Sequence, residues 1–437
     1  MKLYSTNNHD LSVDFQTAVF NSMPLDKGLY MPSHIPKLDS AFLDQIDQYS
    51  LRDIAFHVAS SLLQEAIPAS DLRKLIDDAI DFDAPAVKLD EQTYVLELFH
   101  GPSLAFKDFG ARFMSRVMGY FLKDGEKMLD VLVATSGDTG GAVALGFLGV
   151  PNTRVTILYP EGKVSDIQEL QLCTNGENIH AISVQGTFDD CQRLVKEAFA
   201  DEALNNHLRL TSANSINIAR LIPQTFYYFY TYAQLKRQGK TNLICSVPSG
   251  NFGNIAAGLL ATKMGLPMSR FIAATNVNDT VPRFLQTGVY DARPSVQTYA
   301  NAMDVGAPSN WVRIMDMFDQ DVEAIRKLVT SYRFTDEETL KGMDALYEQY
   351  SYIACPHTAI AWLAIQEHRK QYISSEQEDA AVFLSTAHAC KFPDVFSKEQ
   401  RANIQVPAQV DGLRQKEKQV TAMAPKFESL KEILISY

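Results

Sequence analysis

The segment Met128-Leu129-Asp130-Val131-Leu132-Val133-Ala134-Thr135-Ser136-Gly137-Asp138-Thr139-Gly140-Gly141 runs directly into the apolar residues 142–148. Residues 128–134 read as a strand, 135–141 as a glycine-rich turn carrying hydroxyls, and 142–148 as a helix. The same order recurs further along. Residues 242–247 are a strand, Pro248-Ser249-Gly250-Asn251-Phe252-Gly253-Asn254 a second turn, 255–264 a helix and 270–275 the next strand. Between and around these units, 94–99, 154–159, 179–184 and 380–385 read as strands, and 190–200 as a helix. A helix follows Lys107, with Asp108 as its expected N-cap and Phe113, Met114, Val117 and Phe121 as its buried stripe. A further aromatic helix surrounds Phe226, Tyr227 and Phe229. Strands alternating with helices over this length predict an α/β fold of two open, mostly parallel sheets flanked by helices. Such sheets bind ligands at the carboxyl ends of their strands, where all the polar turns fall.

Residues 1–95 carry a different pattern and read as a separate N-terminal domain. Leu51, Ile54, Ala55, Val58, Leu62 and Leu63 recur at helical spacing behind a capping box of Ser50 and Asp53. A second helix covers 71–80, and Pro24, Pro32 and Pro36 punctuate an irregular stretch before both. This part shows no chemistry, and packing or a cover over the remainder is its expected role. Residues 96–437 are then the catalytic region, with a smaller lobe over roughly 125–235 and a larger lobe formed by the rest.

Composition narrows the function. The chain has 437 residues, 46% of them hydrophobic and 21% charged, as in an ordinary globular protein. A formal net charge of −12 argues against nucleic-acid and anionic-membrane partners, which require a basic footprint. It does not argue against a small anionic substrate, because a local cluster overrides global charge. The five cysteines, at 173, 191, 245, 355 and 390, form no CxxC pair, which suggests neither a disulfide framework nor a zinc site, and no metal is expected. With no apolar signal region at the start and no run of eighteen apolar residues, a cytoplasmic location is expected.

Chemistry gathers in four stretches. In His100-Gly101-Pro102-Ser103-Leu104-Ala105-Phe106-Lys107-Asp108-Phe109-Gly110 a lysine lies among aromatics. Desolvation there favours its neutral amine, the form a Schiff-base lysine requires, although alone it could equally be a surface lysine at a helix start. Ser249 to Asn254 offers several backbone N–H groups at a helix N-terminus and suits a phosphate. It is neither a P-loop nor the dinucleotide fingerprint, and by itself a tight turn explains it as well. Thr135 to Gly140 suits a carboxylate or a second phosphate; Asp138 would oppose an anion if it pointed inward, and is read as a helix cap. Ser212-Ala213-Asn214-Ser215-Ile216-Asn217-Ile218-Ala219-Arg220 brings amides, a hydroxyl and a guanidinium into nine residues, a phosphate site or a polar loop capping the next helix. A reactive lysine beside a phosphate cup points to pyridoxal phosphate.

With these residues in view, the chain resembles the threonine synthases, within the tryptophan-synthase-β-like (fold type II) pyridoxal-phosphate enzymes. The stretches 100–110, 135–140, 249–254 and 385–391 match that family's motifs in order, and residues 1 to about 90 resemble the N-terminal domain of its longer members. The resemblance implies that Lys107 holds the cofactor as a Schiff base and shuttles protons. It implies that Gly250, Asn251, Phe252, Gly253 and Asn254 cradle the cofactor phosphate, and that Thr386 faces the pyridine nitrogen. Thr135, Ser136, Gly137 and Thr139 would take the substrate carboxylate. Asn214, Ser215 and Arg220, with Lys163 as a weaker fourth, would take the substrate phosphate. The implied reaction turns O-phospho-L-homoserine and water into L-threonine and phosphate, the last step of threonine biosynthesis. His388 and Asp108 are expected in supporting hydrogen bonds rather than as acids or bases. The rival readings are a phospho-lyase on the same scaffold, a silent binding homologue and a nucleotide-binding protein. Neither a monomer nor a homodimer is favoured.

Overall fold

The structure, a computed structural model, describes residues 1–63, 65–122, 127–372 and 380–436. Its strands are β1 Lys2–Ser5, β2 Asn8–Asp14, β3 Tyr30–Pro32, β4 Ala86–Lys88, β5 Thr93–Glu97, β6 Leu129–Ala134, β7 Thr153–Pro160, β8 Ile179–Val184, β9 Arg209–Ser212, β10 Leu243–Pro248, β11 Arg270–Thr275, β12 Val329–Arg333, β13 Ala380–Ser385 and β14 Val420–Met423. They form a six-stranded sheet in the order β12-β11-β10-β13-β5-β4, a five-stranded sheet β14-β8-β7-β6-β9, and a three-stranded antiparallel sheet β2-β1-β3. The five-stranded sheet is parallel throughout. The six-stranded one is parallel except for β4, which runs antiparallel on β5. The expected α/β class of two open, mostly parallel sheets is therefore present, with helices on both.

β6 and β10 are buried along their whole length, as strands covered by helices on both faces must be. Both are also topological switch points. From β6 the chain proceeds to β7 and β8 on one side, while β9 lies on the other; from β10 it proceeds to β11 and β12, while β13 and β5 lie opposite. A crevice opens where strand order reverses. The two glycine-rich turns leave from these two strands.

Three expectations about the domains change. The division expected at residue 95 falls inside β5, which pairs with β13 from Thr93 to Glu97, so the large sheet begins with β4. The smaller lobe gains β14 from the far end of the chain, paired on β8; its expected start near 125 lies outside the described residues. The aromatic helix Gln224–Lys236, expected in the smaller lobe, packs on the large-lobe helix Gly253–Lys263 and on the N-terminal helix Leu51–Leu63. Phe226, Tyr227, Tyr228 and Phe229 on it are all fully buried, because it is covered on every side. One apolar cluster joins Ile54 and Val58 of the N-terminal part to Phe113, Val131, Val247 and Leu259, so that part shares its core with both lobes.

Local signals in the N-terminal part hold. The helix Leu51–Leu63 begins with Ser50 Oγ accepting from Asp53 N at 3.2 Å and donating to its carboxylate at 2.6 Å. The second helix covers Ala69–Ala79. The stretch expected to be irregular instead contains β1, β2 and β3. β2 is mostly exposed, with its alternation confined to the half-buried Leu11 and Val13, and it is held by pairing on β1.

Candidate active site

Lys107 is the first residue of the helix Lys107–Phe121. The segment before it is tied to the exit of β13. Phe106 N donates to Thr386 O at 2.9 Å, His388 N donates to Leu104 O at 3.0 Å, and Ala105 forms an isolated antiparallel bridge with Ala387. Lys107 and Thr386 are thereby brought to one place. Asp108 does not cap the helix; Phe106 occupies that position without a side-chain cap. The Asp108 carboxylate folds back to accept from Ser103 N at 2.9 Å, closing the turn over Gly101. A Cβ on Gly101 would lie 2.4 Å from that carboxylate, so only glycine fits there. Burial raises the Asp108 pKa to about 7 against the hydrogen bonds from Ser103.

The side chain of Lys107 is half-buried, with part of its surface open to the cleft. Its amine lies 5.2 Å from the centre of the Phe106 ring. Burial, chiefly, lowers its pKa to about 8; Asp138 opposes the shift, and Arg220 and Lys391 add to it. A large share of the amine is then neutral near pH 8, which is the desolvation effect the aromatic setting predicts.

The turn after β6 is organised by Thr135, whose hydroxyl accepts from Gly137 N at 3.0 Å and Gly140 N at 2.8 Å. Thr135 thus shapes the turn, while Ser136 and Thr139 stand half-buried at the cleft. Gly137 has φ +130° and lies against Gln168, and a Cβ there would be both strained and blocked. Asp138 is not a cap. Its carboxylate accepts from Gln168 Nε2 at 2.9 Å and pairs with Lys391 Nζ at 2.8 Å. Burial works against this carboxylate, but Lys391 and then Lys107 outweigh it and hold its pKa at about 2.

The turn after β10 forms a nest. Phe252 takes a left-handed φ of 58° ahead of the helix Gly253–Lys263, and its ring sits edge-on to Trp311 at 5.6 Å. Asn251 Nδ2 donates to Ser215 Oγ at 2.7 Å, while its Oδ1 accepts from Ser309 N at 2.6 Å. Asn254 Oδ1 accepts from the Tyr227 and Tyr228 hydroxyls at 2.7 Å each, while its Nδ2 is buried without a partner. Backbone amides at a helix N-terminus, next to glycines, are suited to a phosphate.

The Asn251–Ser215 bond places the Asn214 and Ser215 loop beside that nest. Arg220 is buried behind the loop. Its Nη1 donates to Ala213 O at 2.5 Å, its Nε has no partner, and it lies against Gly110 of the Lys107 helix. Burial lowers its pKa to about 10, still high enough to keep the guanidinium charged. Lys163 is exposed on the turn after β7 and is not drawn into this group. His388 accepts from Cys390 N at 3.2 Å and is packed edge-on to Phe99; burial lowers its pKa to about 4.

Sequence reasoning missed two buried cations. Arg313, fully buried, donates to Asn310 Oδ1 at 2.7 Å, Ile216 O at 2.5 Å and Tyr30 O at 3.3 Å, bracing the loop after Ser215 against the N-terminal part. Nothing in its sequence neighbourhood announces this. Lys391 lies within the quoted 385–391 motif, which could have drawn attention to it. The N-terminal part also supports the loop through Asn217, which donates to Val19 O at 2.8 Å.

The residues present fit the expected cofactor. Lys107 is desolvated, Thr386 O accepts from the Phe106 N–H just before it, and Gly250 fits its turn so closely against Met303 that a Cβ would lie 2.6 Å from Met303 Cα. Comparison with known proteins agrees. Residues 81–386 match the family described as pyridoxal-phosphate dependent enzyme, 2–80 match threonine synthase N terminus, and 358–434 match threonine synthase, C-terminal. The chain is 43% identical to a threonine synthase of Serratia marcescens over 90% of each chain. Among solved structures, threonine synthase from Escherichia coli is 39% identical with a TM-score of 0.90, covering 100% of both chains. A pyridoxal-phosphate-bound threonine synthase from Brucella melitensis is 33% identical with a TM-score of 0.92, covering 100% of this chain and 99% of that one. By these matches over essentially its whole length, the chain belongs to the threonine synthase family of pyridoxal-phosphate dependent enzymes.

Proposed function

We propose that the chain converts O-phospho-L-homoserine and water to L-threonine and inorganic phosphate in the cytoplasm. The observation that carries this reading is the pairing of two loops suited to anions beside one desolvated lysine. The Ser249–Asn254 nest and the Asn214–Ser215 loop are joined by the Asn251–Ser215 hydrogen bond, which sets the loop assigned to the substrate phosphate next to the one assigned to the cofactor phosphate.

Pyridoxal phosphate, when bound, supplies an electron sink for carbanions formed next to the substrate amine. Lys107 holds it, and the amide nest of Gly250, Asn251, Phe252, Gly253 and Asn254 takes its phosphate. Thr386, presented at the exit of β13 beside the Lys107 segment, would offer the ring nitrogen a neutral hydroxyl. Ser136, Gly137 and Thr139 bind the substrate carboxylate, and Thr135 keeps their turn in shape. Asn214, Ser215 and the buried Arg220 bind the substrate phosphate, with Lys163 at the periphery. Lys107 as free amine removes the proton at substrate Cα, and near pH 8 enough of it is unprotonated to do so. Loss of a Cβ proton lets phosphate leave from Cγ toward the Arg220 side; Cγ then takes up a proton to become the methyl group, and water adds its hydroxyl at Cβ as a proton returns to Cα.

Purified protein supplied with pyridoxal phosphate and O-phospho-L-homoserine should release threonine and phosphate in equal amounts. Phosphate accompanied by 2-oxobutyrate would make the protein a phospho-lyase, and absence of phosphate release would overturn the substrate.

The nest yields its own expectation. Gly250→Ala places a Cβ 2.6 Å from Met303 Cα and 2.9 Å from Ala302 O, backbone that cannot swing aside. Overpacking of this kind costs about 1–3 kcal/mol, so cofactor affinity should fall roughly tenfold to a hundredfold. Equilibrium dialysis followed by absorbance reads it, and unchanged retention would remove Gly250 from the cradle.

A further inference from the structure

Lys391 is 0% exposed. Its ammonium lies 2.8 Å from Asp138 Oδ1 and donates to Ser103 O at 2.8 Å. These three groups come from three parts of the chain. Asp138 opens the helix Asp138–Phe147 after β6, Lys391 belongs to the short turn Ala389–Lys391 after β13, and Ser103 to the segment leading into Lys107. Gln168 completes the shell of Asp138, and Gln171 Nε2 donates to the same Ser103 carbonyl at 2.9 Å. The ion pair therefore bridges the two lobes at the floor of the site.

A buried ion pair is a poor way to gain stability, because desolvating both charges offsets much of their attraction. Its position supplies a different reason for it. The charges that act on Lys107 are the anion Asp138 and the cations Arg220 and Lys391. His357, buried nearby, stays neutral because burial lowers its pKa to about 4, and Asp108 is turned onto Ser103. Asp138 alone would favour the protonated form of Lys107, which can neither attack a carbonyl nor accept a proton.

We propose that Lys391 is a positioning residue that claims the Asp138 carboxylate across the cleft and so prevents Asp138 from serving as counter-ion to Lys107. This rests on Lys107 as the cofactor-bearing lysine. The role is electrostatic and acts through Asp138; Lys391 need touch neither substrate nor cofactor. Removing Lys391 frees the carboxylate to attract a proton onto Lys107, and it also removes a repelling cation, so both consequences have the same sign. Removing the Asp138 charge has the opposite sign.

The test is a pH titration of the visible absorbance of the holoenzyme, with thermal melting alongside. Lys391→Met should move the midpoint upward by roughly one to two pH units, and Asp138→Asn should move it downward. The double variant Asp138→Asn with Lys391→Met carries neither charge and should return near the wild-type midpoint, while Lys391→Arg should stay there throughout. If Lys391→Met does not fold, the double variant, which leaves no buried charge unpaired, decides the matter with Asp138→Asn. A double variant that stays displaced with Asp138→Asn, or a Lys391→Met midpoint that does not move, overturns the role of Lys391. Cofactor attachment that survives Lys107→Ala overturns the Lys107 reading instead, so the two failures are distinct.

Discussion

Lys107→Ala is expected to abolish covalent attachment of the cofactor and to lower turnover by at least about a thousandfold, since acid–base catalysis by one positioned group is worth 10²–10⁴-fold. Lys107 also supplies the attachment itself, so the loss should sit at the upper end. The fold should persist. Lys107 is half-open to the cleft, alanine is a better helix former at the first helical position, and Asp138 keeps Lys391 as its partner. The change in stability should be within about 1 kcal/mol, as for substitutions that leave no buried group unpaired. Borohydride reduction followed by mass measurement should show the adduct in the wild type and none in the variant. Turnover within tenfold of wild type would remove Lys107 from the mechanism.

Arg220→Ala carries the second large effect, on substrate rather than cofactor. Arg220 is a buried cation with an unpartnered Nε, behind the loop that presents Asn214 and Ser215. A hydrogen bond to a charged group contributes about 1.5–3 kcal/mol, so KM for O-phospho-L-homoserine should rise roughly tenfold to a hundredfold. Cofactor absorbance should remain, because the nest is built on a different turn. Inhibition by inorganic phosphate should weaken in parallel, which a merely loosened fold would not produce selectively. An unchanged KM would mean that the substrate phosphate lies elsewhere. Arg220 also holds Ala213 O, so Arg220→Lys is a useful companion: it keeps the charge, loses the fork, and should fall between the two.

Much of the fold was legible because of where each strand lies. The runs at 94–99, 128–134, 154–159, 179–184, 242–247, 270–275 and 380–385 correspond to β5, β6, β7, β8, β10, β11 and β13. These are the interior strands of the two large sheets. Covered by neighbours and helices, they are predominantly apolar and buried, and such a run is visible in one sequence. The strands of these two sheets that escaped, β4, β9, β12 and β14, are their four edges. β14, for example, buries only Met423 of its four residues. An edge strand is half solvated, and its existence is decided by the partner it pairs with.

The site divides in the same way. By itself, the sequence determined the lysine among aromatics, both glycine-rich turns and the polar loop ahead of Arg220, because each is a local pattern dictated by local chemistry. It also carried the family likeness that orders them. Only the tertiary structure decided that Asp138 is paired and not a cap, that Asn254 faces Tyr227 and Tyr228, and that Asp108 closes the turn at Gly101. Arg313 and Lys391 belong with these. A buried cation is recognised by what surrounds it, and the neighbours of Lys391 are Asp138 and Ser103, from distant parts of the chain. Charge balance around Lys107 is a sum over groups that only folding brings within range, and no spacing along the chain encodes it.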